Sequence, residues 1–147
     1  MNLKYWIIGL LMLPLLAACS DEDDIDAIFM GRTWKLTTIM QNNKSIYEPT
    51  SDEQKEISES ARESYIITFT DKVFSGKTLN DAFNGTWSVD GKKHEIHFTF
   101  KNTPNPPGAV SKKMIEILQN ATKYEGDANQ MTIRQASGPY LLLMPLK

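Results

Sequence analysis

The sequence predicts an α+β domain, a strongly curved antiparallel sheet or partly open β-barrel with one packed helix and one surface helix. Three observations carry that expectation. Many short segments alternate apolar and polar residues between turn residues. The stretch from Val110 to Ala121 repeats apolar residues at helical spacing. The stretch from Ser51 to Ser60 is helical in pattern but nearly all polar.

The first strand lies in "AIFMGRTWKLTTIM", where Trp34, Leu36, Thr38 and Met40 fall on one face after Gly31. "QNNKS" reads as a turn. In "PTSDEQKEISESARES", Thr50 with Glu53, or Ser51 with Gln54, forms a capping box. Only Ile57 and Ala61 pair at i,i+4 there, so this helix is expected on the surface, burying little. Tyr65, Ile67 and Phe69 alternate in the next strand, and Asp71-Lys72 turns the chain. "FNGTWSVDGKKHEIHFTF" is the clearest hairpin. Phe83, Gly85, Trp87 and Val89 alternate, Asp90-Gly91 tolerates positive φ, and Ile96, Phe98 and Phe100 alternate on the return.

Prolines lack the ladder donor, so "NTPNPPG" is a loop. Val110, Met114, Ile117, Leu118 and Ala121 then form the apolar face of the packing helix. A short strand, a turn at Gly126-Asp127, a strand at Met131 to Gln135, a turn at Ser137 to Pro139 and a last strand at Tyr140 to Leu146 close the chain. No internal repeat is visible. The expected division is a signal peptide over 1–18, an acidic tether over 19–30 and one domain over 31–147.

Composition narrows the class. The chain has 147 residues and a net charge of −2, without the basic balance of a nucleic-acid binder, so no nucleic-acid partner is expected. A single cysteine excludes an internal disulfide and a Cys-based zinc site. Lys4 is a positive n-region, "YWIIGLLMLPLLAA" an apolar h-region, and Ala17 and Ala18 the small residues a cleavage site requires. That stretch falls short of the ~20 apolar residues of a spanning helix. A retained anchor and an ordinary secretory signal are the competing readings.

"LAAC", Leu16 to Cys19, resembles the bacterial lipobox. The resemblance implies that Cys19 is lipidated and becomes the mature N-terminus, with the membrane as partner through that lipid. Each buried CH₂ contributes ~0.8 kcal/mol, so several acyl chains hold firmly where one does not. Ser20, Asp21, Glu22, Asp23 and Asp24 follow. They read as a solvated tether. They also resemble the acidic export signal that sends lipoproteins to the outer face of the outer membrane. A periplasm-facing outer-membrane position is the alternative, and Asp21 resembles an inner-membrane retention mark of other lineages. A calcium loop would need a glycine turn and a distal glutamate, which are absent from this run.

No residue stands out as catalytic or metal-binding, and no cofactor is expected. His94 and His97 are three apart on an expected strand, so they point to opposite faces and cannot share a metal. "FSGK" and "ASGP" lack the G-x-S-x-G elbow. Gly76-Lys77-Thr78 lacks the phosphate-loop glycine five positions earlier, where Asp71 stands. Trp34, Phe69, Phe83, Trp87, Phe98 and Phe100 are expected to form the core. The other reading lines a lipocalin-like cavity with some of them.

The order "GRTWKL", "ITF", "SG", "NDAFNGTWSVDG", a helix ending "LQNATKYE", "MTI" and "LLLMP" resembles the META domain of HslJ-like envelope proteins, over Gly31 to Leu146. Departures are plain: Leu79-Asn80 replaces a cysteine-asparagine pair, "NTPNPPGAV" replaces a second cysteine, and the helix 51–60 is longer than the usual connection. No catalytic residues come with that family. The functional expectation is a non-enzymatic, lipid-anchored envelope protein with a binding or structural role, for which an envelope protein is a candidate partner. A carrier of a small apolar ligand is the alternative.

Overall fold

The computed structural model describes residues 23–147. Nine strands form one sheet: β1 (Thr33–Gln41), β2 (Lys44–Ser45), β3 (Ile66–Phe69), β4 (Val73–Lys77), β5 (Ala82–Asp90), β6 (Glu95–Phe100), β7 (Ala121–Gly126), β8 (Met131–Gln135) and β9 (Tyr140–Pro145). Among the described residues three helices accompany them: α1 (Ile25–Ile28), α2 (Asp52–Glu59) and α3 (Ala109–Gln119).

The sheet closes on itself. From β3 to β9 each strand pairs antiparallel with the next, and β1 pairs with β3 on one side and β9 on the other. Eight strands thus complete an antiparallel barrel, with β2 as a short flap on β1. The α+β barrel expected from the alternation is the fold observed. Closure is complete rather than partial, because Trp34 meets Pro145 and Met40 meets Tyr140 across the seam. Local periodicity carries no information about that pairing.

Interior positions follow the predicted period of two except in β1, where a register shift between Leu36 and Thr38 breaks the expected Trp34-Leu36-Thr38-Met40 face and buries Ile39 rather than Met40. Leu36, Ile67, Phe69, Phe74, Ile96, Ile133, Leu141 and Leu143 are buried while their chain neighbours are more exposed. Gly76 faces Phe83 across the β4–β5 ladder, where a Cβ would overlap the Phe83 ring and the Ile66 carbonyl oxygen. The missing side chain lets the barrel turn a corner with an aromatic ring over the gap. Of the six expected core aromatics, Phe100 is only partly buried, packed edge-on against Phe74 with ring centroids 5.2 Å apart.

α3 sends Val110, Met114, Ile117 and Leu118 into the core, as its spacing predicts, and adds Ile115 and Ser111. β6 and β7 share a single register pair, Glu95 with Lys123, and farther along α3 packs against β6 instead. α2 is a surface helix capped by Ser51, whose hydroxyl accepts from the Gln54 N–H at 3.1 Å. Its one isoleucine is not idle: Ile57 is 1% exposed and belongs to the core. Lys35 caps the other end, donating to Ser60 Oγ, the Ala61 carbonyl (3.1 Å) and the Ser64 carbonyl (2.8 Å). Desolvation holds that ammonium below its usual pKa.

The N-terminal segment departs from the expected tether. Asp24 N-caps α1, accepting from the Ala27 N–H at 3.1 Å. Ile28 is buried, and Phe29 is 0% exposed. The fold therefore begins by Asp23, well before Gly31. The apolar residues of "IDAIFM" override the polar character of the run ahead of them, because a buried phenylalanine outweighs a few solvated carboxylates.

Candidate functional site

Alternating strand directions give the barrel two distinct ends. One, called the near end, carries the β3–β4 turn, the β5–β6 turn and the β7–β8 turn, together with α1. The far end carries α2, the loop 101–108 and the β8–β9 turn.

At the near end Phe29 enters a box of aromatic rings. Its ring centroid lies 5.1 Å from Phe69, 5.3 Å from Trp87 and 5.1 Å from Tyr124, the first and last edge-to-face. Trp34 Nε1 donates to the Ile28 carbonyl at 3.2 Å. The Gly31 N–H donates to the Phe69 carbonyl at 2.9 Å, with Gly31 at φ +68°. These contacts make residues 25–31 a stopper for the barrel.

Asp23 clasps the same end. Its backbone N–H donates to the Gly91 carbonyl at 3.3 Å. Its Oδ2 accepts from the Tyr124 hydroxyl at 2.8 Å and lies 3.2 Å from His94 Nε2. Burial, then the Asp23 hydrogen bond, pushes the Tyr124 phenol well above its usual pKa. Gly91 matters here for space rather than φ. A Cβ on it would sit 3.0 Å from Ile25 Cδ1 and 3.1 Å from the Asp23 carbonyl oxygen. Positive φ falls instead on His94, at 56°. His94 thus lies in the turn before β6, not on the expected strand, and its 47% exposed side chain reaches Asp23.

The other sequence-derived candidates fall elsewhere. Cys19, Ser20, Asp21 and Glu22 lie outside the described residues. His97 is exposed on the outer face opposite Ser88. Among the described residues no cluster of His, Cys, Asp or Glu could hold a metal ion, and no helix is long and apolar enough to cross a membrane. A second polar cluster, absent from the sequence reading, joins the helices. Ser111 donates to the Tyr65 hydroxyl at 3.2 Å, and that hydroxyl donates to Glu56. Burial and the Glu56 bond raise the Tyr65 pKa strongly. Ser111 is buried, so this trio ties α3 to α2 and presents no accessible nucleophile.

The interior leaves little for a ligand. Trp34, Phe69, Phe74, Ile67, Ile96, Ile133, Leu141 and Leu143 are each within 1% of complete burial, so no gap beside them admits water. A hollow of about 600 Å³ lies instead on the outer face of β4, β5 and β6. Val73, Ser75, Asn84, Thr86, Thr99 and Lys101 line it, and Val73 is 47% exposed.

Comparison with known proteins identifies the lineage of this fold. A family profile described as "Domain of unknown function (DUF4847)" matches residues 20–143. The chain belongs to this family. A DUF4847 family protein from Bacteroides vulgatus, solved by crystallography at 1.00 Å, is similar in structure, with a TM-score of 0.67. It shares 25% identity, and the match covers 82% of this chain and 96% of that one. No curated protein matches the chain. The resemblance to META and HslJ-like proteins does not survive, because the match over nearly all of the domain is to DUF4847. It rested on the order of strands and one inserted helix, which unrelated antiparallel barrels share. The DUF4847 match also begins at residue 20, which agrees with a domain that includes the segment ahead of Gly31.

Proposed function

We propose that this DUF4847 chain is a non-enzymatic, lipid-anchored protein of the cell envelope whose closed barrel binds its partner through its outer surface. The observation that carries the reading is the placement of "LAAC", with Cys19 only four positions ahead of Asp23, where the folded domain is already clasped. Lipid on Cys19 would anchor the chain in the outer membrane. The run Ser20–Asp24, with acids at Asp21 to Asp24, favours the cell surface over the periplasmic face. A filled interior favours an external partner over the carrier reading, which needs an enclosed apolar cavity of several hundred Å³. The groove on β4, β5 and β6 has the size for a short segment of another molecule.

Metabolic labelling with a palmitate analogue tests the anchor. The native chain takes the label, and Cys19→Ala takes none and accumulates as precursor. Label retained on Cys19→Ala defeats the anchoring claim. Titration with N-phenyl-1-naphthylamine tests the carrier alternative. No saturable fluorescence rise is expected, and stoichiometric uptake of the dye would restore the carrier.

A further inference from the structure

Asp23 is the first residue the structure describes, and it is held by both its backbone and its side chain. From Cys19 to Asp23 the chain takes four residue steps, which span at most about 14 Å when fully extended. A tether reaching to Gly31 would span about 40 Å by the same measure and would let the barrel tumble. The clasp removes that slack. The Asp23 backbone is held by Gly91, its carboxylate by Tyr124 and His94, and the chain continues directly into α1 and the buried Phe29. No free residue separates the clasp from the barrel.

We propose that the near end of the barrel is a membrane-facing surface, held against lipid headgroups by this short clasped connection. The inference rests on lipidation of Cys19, the anchoring reading above. Lysines at that end can reach headgroup phosphates. Lys72, Lys92 and Lys93 are exposed on its turns, and among the described residues their ammonium groups make no hydrogen bond or ion pair. Acids share that end: Asp24, Asp26 and Asp71 are exposed, and two more bond the backbone of their own turns. Asp90 accepts from the Lys92 and Lys93 N–H groups, both at 3.0 Å, and Asp127 from those of Asn129 at 2.7 Å and Gln130 at 3.3 Å. Lysine near an anionic bilayer is attracted to it. The far end, with α2, the proline loop and the β8–β9 turn, then points away from the bilayer and is the end open to partners.

The test uses the full lipidated chain in vesicles of phosphatidylethanolamine and phosphatidylglycerol that carry a headgroup quencher. Lipid occupies Cys19, so a single introduced thiol takes the fluorophore. Asn129→Cys and Ser137→Cys place it before and after β8, about 20 Å apart along the strand. Quenching at Asn129→Cys should exceed that at Ser137→Cys several-fold. A flexible Gly/Ser insertion of twelve residues between Glu22 and Asp23 should shrink that gap while leaving the barrel folded. Equal quenching at the two sites, or a gap indifferent to the insertion, overturns the proposal. Intact mass measured on the same samples reports the lipid on Cys19. Unmodified Cys19 defeats the anchoring reading itself, whereas modified Cys19 with equal quenching defeats only the orientation.

Discussion

Phe29→Ala tests the claim that the segment ahead of Gly31 is part of the fold. The side chain is 0% exposed and packs against Phe69, Trp87 and Tyr124 with ring centroids 5.1 to 5.3 Å apart. Truncating a buried phenylalanine costs about 3–5 kcal/mol, the transfer term plus the cavity left behind. The surrounding rings belong to three different strands of a closed barrel, so they cannot readily collapse into the gap, and the upper half of that range is expected. For a domain of this size each kcal/mol lowers Tm by about 3–5 °C. The variant should therefore melt about 12–25 °C below the native chain, followed by circular dichroism in one buffer. An unpacked tether residue would cost within about 0.5 kcal/mol, close to the error of the measurement. A shift under 3 °C refutes the packing argument and returns residues 23–30 to the status of a tether.

Ile57→Ala and Leu118→Ala should destabilise to a similar degree, each by about 2–5 kcal/mol, because both side chains are essentially fully buried; urea denaturation of the two variants side by side checks this, and a nearly neutral Ile57→Ala would mean that α2 is only draped over the barrel. Gly76→Ala should cost at least about 1–3 kcal/mol, since the new methyl overlaps the Phe83 ring and the Ile66 carbonyl, and thermal unfolding at native level would contradict the close approach. The phenols of Tyr65 and Tyr124 are both raised above their usual value of 10.0, so the folded state holds their protons more tightly than the unfolded state. Their contribution is fully present below pH 10 and is lost as pH rises above it toward the raised folded values, so stability should fall on the alkaline side. Tyr124→Phe should flatten that alkaline decline, and a decline identical to the native one would assign it to other groups.

Much of the architecture was legible because period-two and helical patterns are local properties of the chain. Trp34-Leu36, Phe83-Trp87 and Phe98 announce inward faces, and Val110-Met114-Ile117-Leu118 announces a packed helix. What the patterns omit is contact at a distance. Nothing near Trp34 names Pro145 as its partner, so closure was out of reach. The clasp joins Asp23, His94 and Tyr124 from three separate stretches, and each is unremarkable alone. The tether reading fails from Asp23 onward because Ile25, Ile28 and Phe29 pack into the barrel just behind the acids. Asp24 followed by that apolar spacing is itself a helix-start signal. The family resemblance misled because element order is shared far more widely than ancestry.

The seam between β1 and β9 sets a condition on how the chain matures. Strand β1 is made first, yet its longest ladder waits for Tyr140 to Pro145, the last strand to emerge. Until then the chain has two open edges, on β1 and on β8, and pairing of this range is slow to form. A chain threaded across a membrane from its N-terminus would remain unfinished throughout transit. For a chain so threaded, closure would become possible only after release, leaving the barrel to be completed on the far side. A chain clipped before Tyr140 keeps both edges exposed, ready for a protease or for another unfinished copy.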